Sequence, residues 1–225
     1  MQKIAYSIRP MRDEDIPLVT EIDREAFPNE WLFRPYTSYK REIHNSLAHY
    51  IVACIESGAG AELEQEDIGN TSWLKRLLGY RRAMLFKRRQ NNSRTKEYIV
   101  AFAGLWTMLN EAHIIAIAVR NNYRRLGIGE GLLISVIEVA SQLNANVVTL
   151  EVRASNEIAQ ALYKKYEFQV VGRHSRYYSD NGEDAILMST DDITSAPFQA
   201  HFQRLKEAHS QKWGDIFSAQ LAEPK

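Results

Sequence analysis

The chain carries one cysteine, Cys54, in 225 residues, so no internal disulfide can form. Cys54 sits in an apolar stretch and reads as a small buried side chain rather than a nucleophile. Long apolar runs are missing as well. The longest, Ile114 to Val119, falls far short of the ~18 to 20 residues that span a bilayer. The opening MQKIAYSIRPMRDEDIP lacks the apolar stretch of a signal peptide, and a reducing cytoplasm is the expected location. The six histidines show no His-Glu-x-x-His spacing and there is no Gly-x-Ser-x-Gly elbow, so neither a metal site nor a serine nucleophile is expected. No repeat of about 20 to 50 residues and no low-complexity segment is present.

Net charge is absent too: 28 basic residues balance 28 acidic ones. The balance is a cancellation rather than an even spread. Residues 56–72 hold five acids and no base, while 73–96 hold nine bases and no acid (Lys75, Arg76, Arg81, Arg82, Lys87, Arg88, Arg89, Arg94, Lys96). Trp73, Leu74, Leu77, Leu78, Leu85 and Phe86 lie among those bases at partly helical spacing. This basic amphipathic stretch suits an anionic membrane, RNA, or a solvated face packed on its own domain.

What is present is patterned as mixed α/β. Ile4–Ile8 reads as a first strand; Asp13, Glu14 and Asp15 then lead a helix with Ile16, Val19, Ile22 and Phe27 on one face, closed by Pro28 and Asn29. A short helix is expected within 35–45. Strands follow at 47–55, 98–108 and 113–119, a helix at 129–143 and a strand at 146–153. Ser155 is an N-cap candidate for a helix over 156–166, and 168–176 with 184–189 form a strand pair around Asp180-Asn181-Gly182. Beyond 190, Phe198, Phe202, Leu205, Trp213, Phe217 and Leu221 suggest one or two docking helices.

The run AIAVRNNYRRLGIGEGLL passes from strand through a basic, glycine-rich turn into a helix. A helix N-terminus offers free backbone N–H groups and the positive end of the dipole, and glycines let an anion approach closely. A dinucleotide loop does not fit, because Leu132 stands where its third glycine belongs, and a Walker loop fails for want of Gly-Lys-Ser/Thr. A helix start whose glycines only permit close packing remains open.

Arg124-x-x-Gly127-x-Gly129 at this junction resembles the acetyl-CoA pyrophosphate loop of the GNAT superfamily of N-acetyltransferases. Leu150 to Phe168, LEVRASNEIAQALYKKYEF, looks like the second signature of that family, with Glu167 standing in place of its glycine. Together with Phe27-Pro28 and RYYSDNGEDAILM, these motifs look most like the RimI-type ribosomal-protein-alanine N-acetyltransferases. The resemblance covers about 4–55 and 98–190. It implies a mixed, mostly antiparallel sheet flanked by helices, forming a domain over 1–190 that a charged insert at 56–97 interrupts, with a helical extension at 191–225.

The resemblance also implies roles. Acetyl-CoA would be the cosubstrate, held by the backbone of Ile117 and Val119 and by Arg124, Arg125 and Gly127-Ile128-Gly129. Glu151 would be the general base, through a water, Tyr163 the acid for the departing thiolate, and His113 a second base. Asn156 would touch CoA or its water, with helix capping as the alternative. Phe27, Pro28, Tyr177 and Tyr178 would wall the slot for the acceptor. On pattern alone Glu151 is equally a solvated strand residue, and Tyr163 equally a core aromatic in register with Ala159 and Tyr166. The implied acceptor is a protein N-terminus, such as that of a ribosomal protein; a lysine or small amine is the near rival, and a non-catalytic module docking RNA or membrane through 73–96 the distant one.

Overall fold

In the computed structural model, residues 4–27, 36–56, 97–214 and 217–218 are described. The chain divides into two units, 1–54 with 99–225 and 55–98, and the site lies in the first. The basic stretch 73–96 and Pro28 fall outside the described residues.

Strand β1 (Ser7–Pro10) begins later than the alternation at Ile4–Ile8 predicts. It pairs antiparallel with β2 (Ala48–Glu56) from Ser7↔Cys54 to Pro10↔Ile51. The acids at 13–15 form a separate 3-10 turn, and Asp15 is more than a favourable charge near a dipole. Its carboxylate accepts two bonds from the Arg9 guanidinium, at 2.6 and 3.0 Å, and one from the Arg12 N–H at 2.7 Å. Both Arg9 and Asp15 are buried, so each needs the other. Helix α1 (Ile16–Ala26) turns Ile16, Val19 and Ile22 inward, as the 3.6-residue spacing requires, and Phe27 caps it. Helix α2 (Tyr36–Glu42) adds Tyr39, whose ring meets Tyr50 and Phe102 edge-on at 5.6 and 6.1 Å.

Strands β3 (Glu97–Met108) and β4 (Glu111–Val119) form a long antiparallel pair. Helix α3 (Ile128–Gln142) is buried at most positions, which explains its nearly unbroken apolar sequence. Then come β5 (Val147–Arg153), α4 (Glu157–Lys165), and the hairpin of β6 (Gln169–Tyr178) and β7 (Glu183–Ser189). With a short last strand β8 (Phe217–Ser218), the eight-stranded sheet runs β6-β7-β5-β4-β3-β2-β1-β8, parallel only at β4–β5 and β1–β8 among the registered pairs.

The tail departs from a purely helical reading. One helix, α5 (Ala196–Trp213), is capped by Ser195, and Phe217 lies in a two-residue strand β8 (Phe217–Ser218) beside β1. Phe198 and Phe202 bury themselves, and Phe202 meets the Tyr166 ring at 6.3 Å. Lys206 pairs with Glu138 of α3, and the Tyr6 hydroxyl meets buried His209 Nε2 at 3.2 Å.

Candidate active site

Strands β4 and β5 pair only from Glu111↔Val147 to Ile114↔Leu150. Past that point β4 keeps its bonds to β3 as far as Ala101↔Val119 but has no registered partner in β5. The β4–β5 ladder therefore ends before the predicted backbone groups of Ile117 and Val119. A cavity of about 560 Å³ opens at the parting, within the usual range for ligand sites. It is lined by β4 from His113 to Ile117, β5 from Leu150 to Arg153, α4 through Asn156, Ala159 and Tyr163, and by Phe27, Tyr177 and Tyr178. Glu151, His113 and Tyr163, far apart in sequence, thus share one wall system.

Alternation on two parallel strands places Glu111 and His113 of β4 and Thr149 and Glu151 of β5 on one face. Glu151 is not a solvated strand residue. Its Oε2 lies 2.9 Å from His113 Nε2, with 18% of its side chain exposed. The hydrogen bond from His113 holds the carboxyl below its ordinary range against the opposing effect of burial, and the charges of His113 and His174 act in the same direction. The other imidazole nitrogen, Nδ1, lies 2.8 Å from Thr149 Oγ1, and the Thr149 hydroxyl donates to Glu111 at 2.6 Å.

Tyr163 is partly exposed to the cavity, whereas Tyr166, its neighbour in the sequence pattern, is the core aromatic. The Tyr163 ring leans on Phe168 at 5.7 Å, and burial pushes its hydroxyl up to about 12. Helix α4 starts one residue later than expected: Asn156, not Ser155, is the N-cap, its side-chain oxygen accepting from the Ala159 N–H at 3.2 Å. Capping therefore occupies that oxygen, while the residue still lines the cavity. The chain leaves α4 through Glu167 at φ +63°, a left-handed conformation that explains why glycine is the residue the signature calls for.

At the strand-to-helix junction, Gly127 is the N-cap of α3 with φ +79°. A Cβ there would fall 2.6 Å from Cγ of Trp213, so this glycine admits the indole of α5 as well as the turn. At Gly129 the nearest atom to a Cβ would be Val119 Cγ2 at 3.5 Å, an ordinary contact. Arg124 and Arg125 are exposed, and Arg124 Nε donates to the Val119 carbonyl at 3.2 Å. The Gly131 N–H makes the first helical bond, to the Gly127 carbonyl, which leaves Ile128, Gly129 and Glu130 as the N–H groups of the open first turn. The base of the loop is tied to α1, where Glu25 accepts from the Asn121 N–H at 2.6 Å and Glu21 pairs with Arg120 at 3.1 Å.

Several residues of the site were not legible in sequence. Arg153 lies with its guanidinium 3.8 Å over the Tyr178 ring and pairs with Asp180 and Glu183 at 3.1 and 3.3 Å, which fastens the β6–β7 hairpin at the cavity mouth. Glu183 is held down to about 2 by its bonds from Ser155, with Asn181 and Arg153 assisting. His174 stacks on Tyr177 at 5.7 Å. None of these follows from local pattern, because β7 separates β6 from β5. Thr149 and Glu111 had a usable signal, two-residue spacing to Glu151 and His113, but the parallel register was needed to join them.

The family model for the GNAT acetyltransferases matches residues 16–168. An N-alpha-acetyltransferase of Sulfurisphaera tokodaii (strain DSM 16993 / JCM 10545 / NBRC 100140 / 7) is 31% identical over 185 residues, 82% of this chain and 92% of its own. The crystal structure of the Escherichia coli ribosomal-protein-S18-alanine N-acetyltransferase superposes with a TM-score of 0.58 at 23% identity, covering 84% of this chain and 94% of that one. Arabidopsis thaliana NAA60 in complex with acetyl-CoA superposes at 0.59 and 17%, covering 85% and 100%. At those identities the two structures speak for the fold. The parted strands, the loop with its glycine cap and the family match over most of the chain agree, and the chain belongs to the GNAT family of acetyltransferases.

Proposed function

We propose that the chain transfers the acetyl group of acetyl-CoA directly to the α-amine of a protein N-terminus. The observation that carries this reading is the convergence of the Glu151–His113 pair and Tyr163 on the cavity where β4 and β5 part. An extended pantetheine arm would lie along the backbone of Ile117 and Val119, past the point where β5 parts from β4, and the CoA pyrophosphate would use the first turn of α3 with Arg124 and Arg125. Asn156 would border the cofactor, and Phe27, Tyr177 and Tyr178 the acceptor.

Chemistry favours an α-amine. Its pKa of about 7.7 to 8.0, against about 10.4 for lysine, makes the neutral nucleophile cheaper by roughly 3 kcal/mol. Glu151, kept ionised by His113, is a modest base suited to that acceptor, directly or through water. Attack on the thioester carbonyl forms the amide C–N bond, breaks the C–S bond and leaves CoA thiolate, while the amine proton goes to Glu151. Tyr163, with its hydroxyl at about 12, holds its proton firmly. Full transfer to a thiolate of ordinary pKa about 8.5 is uphill by roughly 5 kcal/mol, so Tyr163 stabilises the departing sulfur by donating a hydrogen bond. The names of the relatives, N-alpha-acetyltransferase and ribosomal-protein-S18-alanine N-acetyltransferase, support the same acceptor class.

The test is acetyl transfer to peptides beginning with Ala, Ser, Met and Gly, against the same peptides with a blocked terminus and an internal lysine. Transfer confined to the free termini is expected, and labelling confined to lysine would refute the acceptor assignment. Glu151→Gln should lower kcat by about 10² or more. Tyr163→Phe should lower it less, and an unchanged rate would remove the tyrosine from the mechanism.

A further inference from the structure

The acceptor must lose its ammonium proton to water before it attacks, and as the amide forms it gives a second proton to Glu151, which must then leave the cavity. Resting on the proposed base, Glu151, we infer that Thr149 and Glu111 form with His113 a built path that carries this proton from the cavity to solvent. Neither residue belongs to the family pattern on which the site was expected.

Hydrogen inventory sets the direction of the chain. A carboxylate only accepts, so the single Thr149 hydroxyl proton lies toward Glu111, at 2.6 Å. Thr149 Oγ1 must then accept from His113, 2.8 Å away, which places a proton on Nδ1. The other nitrogen, Nε2, faces Glu151 at 2.9 Å, where one further proton is shared by the pair. Four side chains in series thus connect the cavity to an exposed glutamate, and the β4–β5 register holds them: His113 stands opposite Thr149, and Glu111 and Glu151 stand two residues away on either side. The charged groups facing the pair are Glu151 and Glu111 at its two ends and His174 from β6.

The step balances with one proton in and one out. The proton shared with Glu151 moves onto His113 Nε2 as the Nδ1 proton passes to Thr149 Oγ1 and the Thr149 hydroxyl proton passes to Glu111, which releases it to water; Glu151, left as the carboxylate, then takes the amine proton. The hydroxyl then rotates back, and the ring recovers its starting tautomer through solvent, to which 33% of the His113 side chain is exposed. His113 therefore contacts the reacting system through Glu151, while Thr149 and Glu111 are positioning and relay residues.

Thr149→Val preserves shape and removes the hydroxyl; Thr149→Ser preserves the hydroxyl. With the full-length protein, acetyl-CoA and the best peptide of the panel, Thr149→Val and Glu111→Gln should each lower kcat by about tenfold at unchanged KM, less than loss of the base itself. Thr149→Ser should restore most of the rate. Unchanged kcat in Thr149→Val, a change confined to KM, or no recovery in Thr149→Ser would each overturn the relay. A second measurement needs no acceptor: nitrogen-15 NMR of His113 should show a protonated Nδ1 that Thr149→Val abolishes. A bare Nδ1 in the unaltered protein would overturn the relay even if transfer occurs. Absence of transfer to any free terminus, with Nδ1 protonated as expected, would refute the acceptor assignment and leave the hydrogen-bonded path standing.

Discussion

Glu167 shows how a single residue can depart from a family signature without changing the fold. It holds φ +63°, where a side chain is strained by about 1 to 2 kcal/mol, and its contact with His201 at 4.0 Å is too long to return much of that. Glu167→Gly should raise the unfolding free energy by about 1 kcal/mol in a urea titration, and an unchanged or lower midpoint would show that the left-handed turn is not strained. The two loop glycines separate in the opposite way. Gly127→Ala would push a Cβ against the Trp213 indole in a left-handed turn, so lost stability is expected along with lost activity. Gly129→Ala meets only ordinary contact and should fold like the unaltered protein, while raising KM for acetyl-CoA if anion approach is what that glycine serves. Equal thermal midpoints for the two variants would contradict this division.

At the scale of elements, the tail helix α5 reaches the predicted cofactor loop. Phe198 and Phe202 seat it against Tyr166, Lys206 ties it to Glu138 of α3, and Trp213 at its last turn covers Gly127. Phe202→Ala should destabilise by about 3 kcal/mol, the cost of removing a buried aromatic, read as a lower denaturation midpoint with an unchanged slope. Trp213→Ala is less buried and acts on the loop: KM for acetyl-CoA should rise several-fold while kcat changes little. A kcat effect without a KM effect would separate the tail from cofactor binding. Elsewhere, Arg153 performs a comparable task at the cavity mouth, gathering Tyr178, Asp180 and Glu183 of the hairpin around one cation.

For the whole molecule, the titrating groups point to acid lability. His209 is buried where the N-terminal segment, α3 and α5 meet, and burial lowers its affinity for a proton; Glu130 opposes this, while Lys165 and Lys212 reinforce it, and Tyr6 shares its Nε2. The folded state thus prefers neutral His209, whereas the unfolded chain takes up a proton near pH 6.5. Stability is complete above that pH and falls as pH drops through it, with His49, also lowered by burial, acting in the same sense. Glu130 adds a second loss at lower pH. Desolvation raises its pKa, but hydrogen bonds from Lys165 and Tyr166 outweigh that and hold it below the ordinary range, so its contribution disappears as pH falls through the carboxylate range. The thermal midpoint should therefore decline between pH 7.5 and about 5.5, before the carboxylates titrate. His209→Gln should flatten that part of the curve, and an unaltered slope would assign the loss to other groups.

The sequence by itself determined the order and type of nearly every described element, because alternation on strands, 3.6-residue spacing on helices and turn residues between them are local properties. It also singled out candidate site residues: the glycine-rich helix start, Glu151 and Tyr163 stand in motifs that chain order alone displays. It misjudged what depends on neighbours far away in the chain. Ile4–Ile8 starts late because pairing with β2 and β8 decides where β1 begins, and Phe217 joins a strand because β1 offers it an edge. Asp15 became one half of a buried ion pair through Arg9, and Asn156 displaced Ser155 as cap through the path of the chain into α4. Only tertiary structure decided that Glu151 faces His113, that Thr149 and Glu111 continue that line, and that Trp213 rests on Gly127. Each is a contact across parallel register or helix docking, for which a one-dimensional pattern carries no signal.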